Sequence, residues 1–338
     1  MPVTIRDVAK RLNLSITTVS RALDGYADVA EDTQRLVNQT AQEMGYVPNQ
    51  AARQLRRQRS DTIGYILPGE KSRFSDPFTT EFVTGLGDEA SAHGYDLLIS
   101  NAIADSPEER GAYERWTQGR KVDGLIINRL RLHDWRVQYL AQIGFPFVAK
   151  ERSDDPYDYP SVNINGRHWF RILTEHLIRL GHARIAYIGT SAALRIQADH
   201  YAGYCDAMLA AGLELKAELI QEGDLSAQGG YQATQQLLAL SSPPTAIACV
   251  NDTTALGVLH AAHDHGIDVG KELAVTGFDG ITGAEHTHPP LTTINQPIYQ
   301  IARRMVEILI NLLHGEQLKE QHITIEPVLE IRQSTVGK

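Results

Sequence analysis

From residue 62 onward the chain is a succession of short apolar runs, each followed by a stretch with helical spacing, and this alternation limits the possible folds most sharply. IGYIL (63–67), YDLLIS (95–100), VDGLIIN (122–128) and FPFVAK (145–150) form a first series. ARIAYIG (183–189), ELIQEGD (218–224), TAIACVND (245–252) and ELAVTGFD (272–279) form a second. Apolar runs of this length suit strands of a parallel sheet covered on both faces. Helical stretches such as 80–93 and 108–120 separate them. Two successive strand-helix series predict two α/β lobes, each with helices on both faces of its sheet. Ligands of such sheets sit beyond the carboxyl ends of the strands, and two facing lobes make a cleft there.

The first 60 residues follow another pattern. In VTIRDVAKRLNLSITTVSRAL (3–23), Thr4 stands three residues before Asp7, a capping-box spacing, and Ile5, Val8, Ala9 and Leu12 recur on one helical face. Asn13-Leu14-Ser15 breaks that helix, and Ser15 can cap a second one in which Val19, Ala22 and Leu23 face inward. Ile16, Thr17, Ser20 and Arg21 are then expected to point outward. Arg can bond guanine through two hydrogen bonds, and Thr can touch a thymine methyl, so this short helix suits a DNA major groove. A third helix over 31–44, with Leu36, Val37, Ala41 and Met44 inward and Gly45 at its end, closes an all-α module.

Charge supports that reading. The whole chain carries a formal −9, yet residues 1–60 hold nine Lys/Arg against six acids, a net +3 that leaves −12 on the remainder. A basic head on an acidic body is expected where only the head meets phosphates. Residues 46–60, YVPNQAARQLRRQRS, contain four arginines and no acid. A helix over 50–58 is too short to stand alone in water. It is either a charged linker or a segment whose two copies pack through Ala51 and Ala52 and press Leu55 into the minor groove as a wedge.

TIRDVAKRLNLSITTVSRAL, the following VAEDTQRLVNQTAQEMGYVPNQAARQL and the segments downstream resemble the lactose-repressor and galactose-repressor family of bacterial transcription regulators over the whole chain. The resemblance implies that Ile16, Thr17 and Arg21 read bases and that Leu55 intercalates at the centre of a palindromic operator. Thr4, Ser15, Thr18 and Ser20 complete the expected DNA-facing set of the helices. Asn49, Ala52, Arg53 and Arg56 do so beside Leu55. The resemblance divides the chain into a helix-turn-helix domain (1–46), a hinge helix and linker (47–60), and a two-lobed core similar to periplasmic binding proteins. The first lobe is 61–162 with 295–325, and the second is 163–294 with 326–338. The chain crosses between lobes near Asn163, Asn295 and Glu326, so the first lobe regains the helix at 298–314 and the second the C-terminal strand. The expected partners are double-stranded operator DNA, a second copy of the chain or more, and a small-molecule effector in the cleft, a mono- or disaccharide.

Polar residues at strand ends are the candidates for holding that effector: Asp76 and Phe78, Asn101, Glu151 and Arg152, Asn251 and Asp252, and Asp279. Carboxylates and amides beside an aromatic ring suit a sugar, whose hydroxyls take paired hydrogen bonds while its apolar face stacks. Any one of them could equally be a strand-end cap or turn residue. The resemblance favours Asn251 and Asp279. His200 stands where the family usually carries an effector-binding Arg, and Leu225 where several relatives place an aromatic. Arg195 or Arg152 is therefore expected to supply the missing cation, and His200 to make binding sensitive to pH near neutrality.

Other functions lack support. There is no P-loop, no GxGxxG after a strand, no GxSxG and no HExxH, so no enzyme, cofactor or catalytic residue is expected. His260 and His263 share a helical face without a third ligand at a known spacing, so His260, His263, His265, His286 and His288 do not predict a metal. A sugar receptor serving a transporter would leave the basic head unexplained. Cys205 and Cys249 read as reduced core thiols. The N-terminus has no signal-peptide core and no run is long enough to span a membrane, so a cytoplasmic location is expected.

Overall fold

The computed structural model describes residues 3–47, 59–69 and 76–336. Residues 1–60 form one compact unit and 61–338 another. In the first, α1 (Ile5–Leu12), α2 (Ile16–Leu23) and α3 (Glu31–Glu43) enclose Val8, Ala9, Val19, Ala22 and Val37. The capping box forms, with Asp7 Oδ2 accepting from the Thr4 amide at 2.9 Å and its hydroxyl at 2.7 Å. Asn13 takes a left-handed conformation (φ 52°), which Asn tolerates better than most residues, and so turns the chain between α1 and α2. Ser15 Oγ accepts from the Thr18 amide at 3.0 Å to start α2. Gly45, with φ 66°, ends α3; the Tyr46 amide donates to Ala41 O and the Gly45 amide to Gln42 O, a Schellman motif.

Two side chains lie otherwise than expected. Ser20 is only 5% exposed, and Leu36, expected inside, is 51% exposed. The buried strip of α2 takes in positions 19 and 20, where a small serine fits. On α3 Val37, Thr40 and Ala41 fill the inner face, leaving position 36 turned out. The expected hinge residues Asn49, Ala52, Arg53, Leu55 and Arg56 lie outside the described residues.

Among its described residues, the second unit contains two six-stranded sheets. The first comprises β1 (Thr62–Pro68), β2 (Asp96–Ala102), β3 (Gly124–Ile127), β4 (Phe147–Lys150), β5 (Ser161–Asn163) and β11 (His322–Thr324). Its order is β11-β5-β4-β3-β1-β2. The second comprises β6 (Ile185–Gly189), β7 (Ile220–Glu222), β8 (Ala246–Cys249), β9 (Ala274–Asp279), β10 (Thr292–Asn295) and β12 (Val328–Glu330), in the order β12-β10-β9-β8-β6-β7. All pairings are parallel except that of β12 with β10. The helices are α4 (Pro77–Ala92), α5 (Pro107–Gln118), α6 (Trp135–Gln142), α7 (Gly166–Arg179), α8 (Arg195–Ala210), α9 (Ala227–Leu238), α10 (Asp252–Asp264) and α11 (Ile298–Leu313). Each of the eight apolar runs contains a strand.

The chain passes between the sheets three times, after Asn163, after Asn295 and between Thr324 and Val328. The second passage sends α11 back onto the first lobe, where it packs on α4, β3 and β4. Gly85 permits this close approach, because a Cβ there would stand 2.6 Å from the Tyr299 carbonyl oxygen. One apolar cluster, from Ile63 and Phe82 to Tyr187 and Met208, runs through both lobes, and each sheet carries a second cluster of its own. The inner strands β3, β4, β6, β8 and β9 are therefore buried throughout, while the edge strands β2, β7 and β11 are partly exposed.

Candidate functional site

The strands of both lobes deliver polar residues to one cleft. The first lobe contributes Asp76 and Phe78 at the start of α4, Asn128 and Arg129 after β3, and Lys150 and Glu151 at the end of β4. The second contributes Ile196 and His200 from α8, Leu225 after β7, Asn251 after β8, and Phe278 and Asp279 ending β9. Ile164, Gly166 and Gln296 come from the first two crossings. The space they line is about 590 Å³, its open mouth included.

Buried charge fixes the first-lobe part. Arg136 is fully buried, its Nη2 2.6 Å from Asp134 Oδ2. It also donates to the carbonyls of Arg129 (3.0 Å) and Asn128 (3.4 Å), which fastens the turn carrying both residues into the cleft. Burial pushes the Asp134 carboxyl up, but Arg136 beside it prevails and holds it below the usual carboxylate range. Asp76 Oδ2 accepts from Thr79 and Arg129, while its Oδ1 accepts from Thr253 Oγ1 of the other lobe at 3.1 Å. Lys150 Nζ lies 2.8 Å from Glu151 Oε1.

In the second lobe, Asn251 Oδ1 is occupied in capping α10, accepting from the Thr254 amide and hydroxyl. Asp279 is 5% exposed, with φ 133°, and its Oδ1 accepts from Gln296 Nε2 at 2.5 Å. Burial, then Asp252 and Asp76, push its carboxyl well up. The backbone after it is held by Asp252, whose Oδ2 accepts from the Gly280 and Ile281 amides and whose Oδ1 accepts from Thr293. Burial raises Asp252 to about 6. Four of the eight non-glycine residues with positive φ among the described residues line this cleft: Arg129, Glu151, Leu225 and Asp279. Such conformations cost about 1–3 kcal/mol each and gather where a site is being shaped.

Seven of the eleven candidate effector residues, Asp76, Phe78, Glu151, His200, Leu225, Asn251 and Asp279, thus meet in one place. Asp252 instead holds the backbone after Asp279, and three others lie elsewhere. Asn101 is exposed on β2, the edge strand of its sheet. Arg152 contacts His322 and Asp158 and lies over the Tyr159 ring. Arg195 is bound to Asp154 at 2.6 Å and Asp199 at 3.0 Å. Among the described residues, the cations in the cleft are instead Arg129 and Lys150. His200 also departs from expectation. It packs against the rings of Phe170 and Phe278, which also touch each other, and burial, with Lys150 nearby, lowers it to about 3, so it stays neutral at physiological pH.

The DNA-facing candidates of α1 and α2 divide similarly. Thr4, Ser15, Ile16, Thr17 and Arg21 are exposed and Thr18 is half-buried, whereas Ser20 is not available on the surface. Arg21 is 2.5 Å from Asp28 and lies 5.0 Å from the centre of the Tyr26 ring.

Comparison with known proteins decides the family. Residues 4–49 match bacterial regulatory proteins of the lacI family, and 174–335 match the periplasmic binding protein-like domain. The HTH-type transcriptional regulator RegA of Clostridium saccharobutylicum is 33% identical over 337 residues, 99% of this chain and 100% of that one. The chain belongs to the lacI family of bacterial transcriptional regulators. Within this family, the lac repressor dimer bound to operator and the anti-inducer ONPF is 28% identical, with a TM-score of 0.86 and 100% of each chain covered. A complex of the transcriptional regulator CelR with cellobiose is 29% identical, with a TM-score of 0.75 over 98% of this chain and 99% of that one. Like its lacI-family relatives, the chain is a DNA-binding regulator of transcription and not an enzyme.

The sequence reading missed Asn128, Arg129, Lys150, Ile164, Gly166, Ile196, Phe278 and Gln296. A weak signal existed for two of them: Asn128 and Lys150 are the polar residues that end the apolar runs VDGLIIN and FPFVAK.

Proposed function

We propose that this lacI-family regulator is a repressor that binds a palindromic operator as a homodimer and is controlled by a sugar in its cleft. The observation that carries the reading is the convergence of carboxyl and amide groups (Asp76, Asn251, Asp279 and Gln296) beside the Phe78 and Phe278 rings. Hydroxyls can pair with the former and an apolar sugar face can stack on the latter. The cellobiose complex of CelR and the operator complex of the lac repressor support the two halves of the proposal.

Ile16, Thr17 and Arg21 choose the sequence, phosphate contacts supply most of the affinity, and Leu55 wedges the centre of the site. Ligand changes the relation of the two lobes, and the segment 47–60 carries that change to the DNA-binding helices. Selection of tight binders from a random pool of duplexes, followed by retardation at about 0.15 M salt, tests this. Recovery of a palindrome bound by two chains is expected. Binding with no sequence preference, or by one chain, contradicts it. Leu55→Ala should weaken that binding and leave sugar affinity unchanged.

A further inference from the structure

Two acceptors in the cleft wall bear on what it can hold, and one of them, Gln296 Oε1, is buried without a hydrogen-bond partner among the described residues. His200 is 2% exposed, and its Nδ1 faces the Val250 carbonyl oxygen at 3.2 Å. A carbonyl only accepts, so Nδ1 carries the ring proton and Nε2 keeps its lone pair. Nε2 lies against Gly166, where a Cβ would stand 3.2 Å from it. Gln296 is 3% exposed; its Nε2 donates to Asp279, and its Oε1 is buried without a partner.

Among the described residues, the cations of the wall are already matched. Arg129 stands 3.3 Å from Asp76 and Lys150 2.8 Å from Glu151. Burial favours the neutral form of Asp279, so it adds no net charge to these two pairs.

We infer that the cleft selects a neutral, hydroxyl-rich ligand whose O–H groups donate to His200 Nε2 and Gln296 Oε1, and that it rejects phosphorylated and carboxylated sugars. This rests on the reading of the cleft as the effector site. A hydroxyl both donates and accepts, so it can satisfy a bare acceptor and a neutral carboxyl in turn. A carboxylate, or a phosphate in its dianionic form, only accepts. It would set its lone pairs against those of His200 and Gln296, and would have to draw Arg129 or Lys150 away from its carboxylate partner. A site built with buried hydrogen-bonding groups discriminates strongly against a ligand that leaves them unpaired.

Isothermal titration of the full chain tests this with D-glucose, D-galactose, cellobiose and maltose against glucose 6-phosphate, galactose 6-phosphate, glucuronate and galacturonate. The tightest binder should be neutral, with the charged sugars at least about 100-fold weaker. His200→Phe keeps a ring against Phe170 and Phe278 but removes the acceptor, and should weaken the best ligand about tenfold or more. His200→Gln, which retains an acceptor, should recover part of that loss. Should His200→Phe fail to fold, Gln296→Met removes the second acceptor and should weaken the same ligand. A charged sugar binding as tightly as the neutral ones, or full affinity in a folded variant lacking either acceptor, overturns the inference. If only charged sugars bind, the sugar-effector reading survives and this one fails. If no sugar of either set binds a chain that still recognises its operator, both fail.

Discussion

At position 200 a histidine has become part of an apolar stack, and its chemistry follows from that. An exposed imidazole would titrate near 6.5, whereas burial against two phenylalanines lowers this one to about 3. His200 is therefore expected to add no pH dependence to ligand affinity between pH 6 and pH 8: any change that calorimetry finds, such as one from Asp279, whose carboxyl burial pushes well up, should be the same in His200→Gln, and a change that this variant abolishes would contradict it. Stability behaves differently. Below pH 6.5 the unfolded chain takes up this proton while the native chain does not, so the site's contribution is full above 6.5 and is lost as pH falls toward about 3. Urea unfolding should accordingly show the difference between wild type and His200→Phe moving in the variant's favour from pH 7 to pH 4. A difference independent of pH would mean that the imidazole is accessible to protons. On the DNA side, Arg21→Ala should lower operator affinity about 10- to 100-fold in fluorescence anisotropy, the range of a bidentate base contact. An unchanged affinity would assign base reading elsewhere.

The elements differ in how clearly the sequence announces them. Runs such as TAIACVND and ELAVTGFD were legible because burial on both faces demands continuous apolar residues. β5, β10 and β11 were not, because three or four residues carry no periodicity and β11 pairs remotely, His322 with Ser161; β12 was expected only through the family resemblance. Side-chain direction within a short helix was similarly hard to read, and Ser20 and Leu36 exchange the expected inside and outside. The turn after β3 depends on Arg136, whose role is invisible until the chain folds around it. Arg136→Met would leave the buried Asp134 without its 2.6 Å cation partner and free the carbonyls of Asn128 and Arg129, while Glu109 would keep Arg131 at 2.9 Å. A loss of about 3–5 kcal/mol is expected in urea unfolding. A loss near zero would mean that the turn holds without it.

At the scale of the molecule, the lobes meet along a strap as well as across the cleft. The Leu132 amide donates to Ala193 O and the Arg195 amide to Leu130 O, both at 2.9 Å, and Arg195 reaches Asp154. Arg195 is thus a lobe-to-lobe tie and not a ligand for the effector, a role that spacing could not reveal because its partner lies 41 residues away. Since the pair is partly exposed, Arg195→Ala should weaken ligand binding by no more than about fivefold in calorimetry. A larger loss would place its guanidinium on the ligand. The clustering of Asp76, Asn251 and Asp279 could be anticipated, because carboxyl ends of parallel strands converge. Which cations join them could not, because Arg129 and Lys150 are set by partners met only in three dimensions. The account's central claim is that occupancy of this cleft governs DNA binding. Its most direct test is anisotropy of the selected operator with the full chain, with and without the best neutral sugar at about 100 times its dissociation constant, for wild type and Asp279→Ala. The sugar should change wild-type operator affinity at least about tenfold and leave that of Asp279→Ala unaltered. Equal operator affinity with and without bound sugar in the wild type would contradict it.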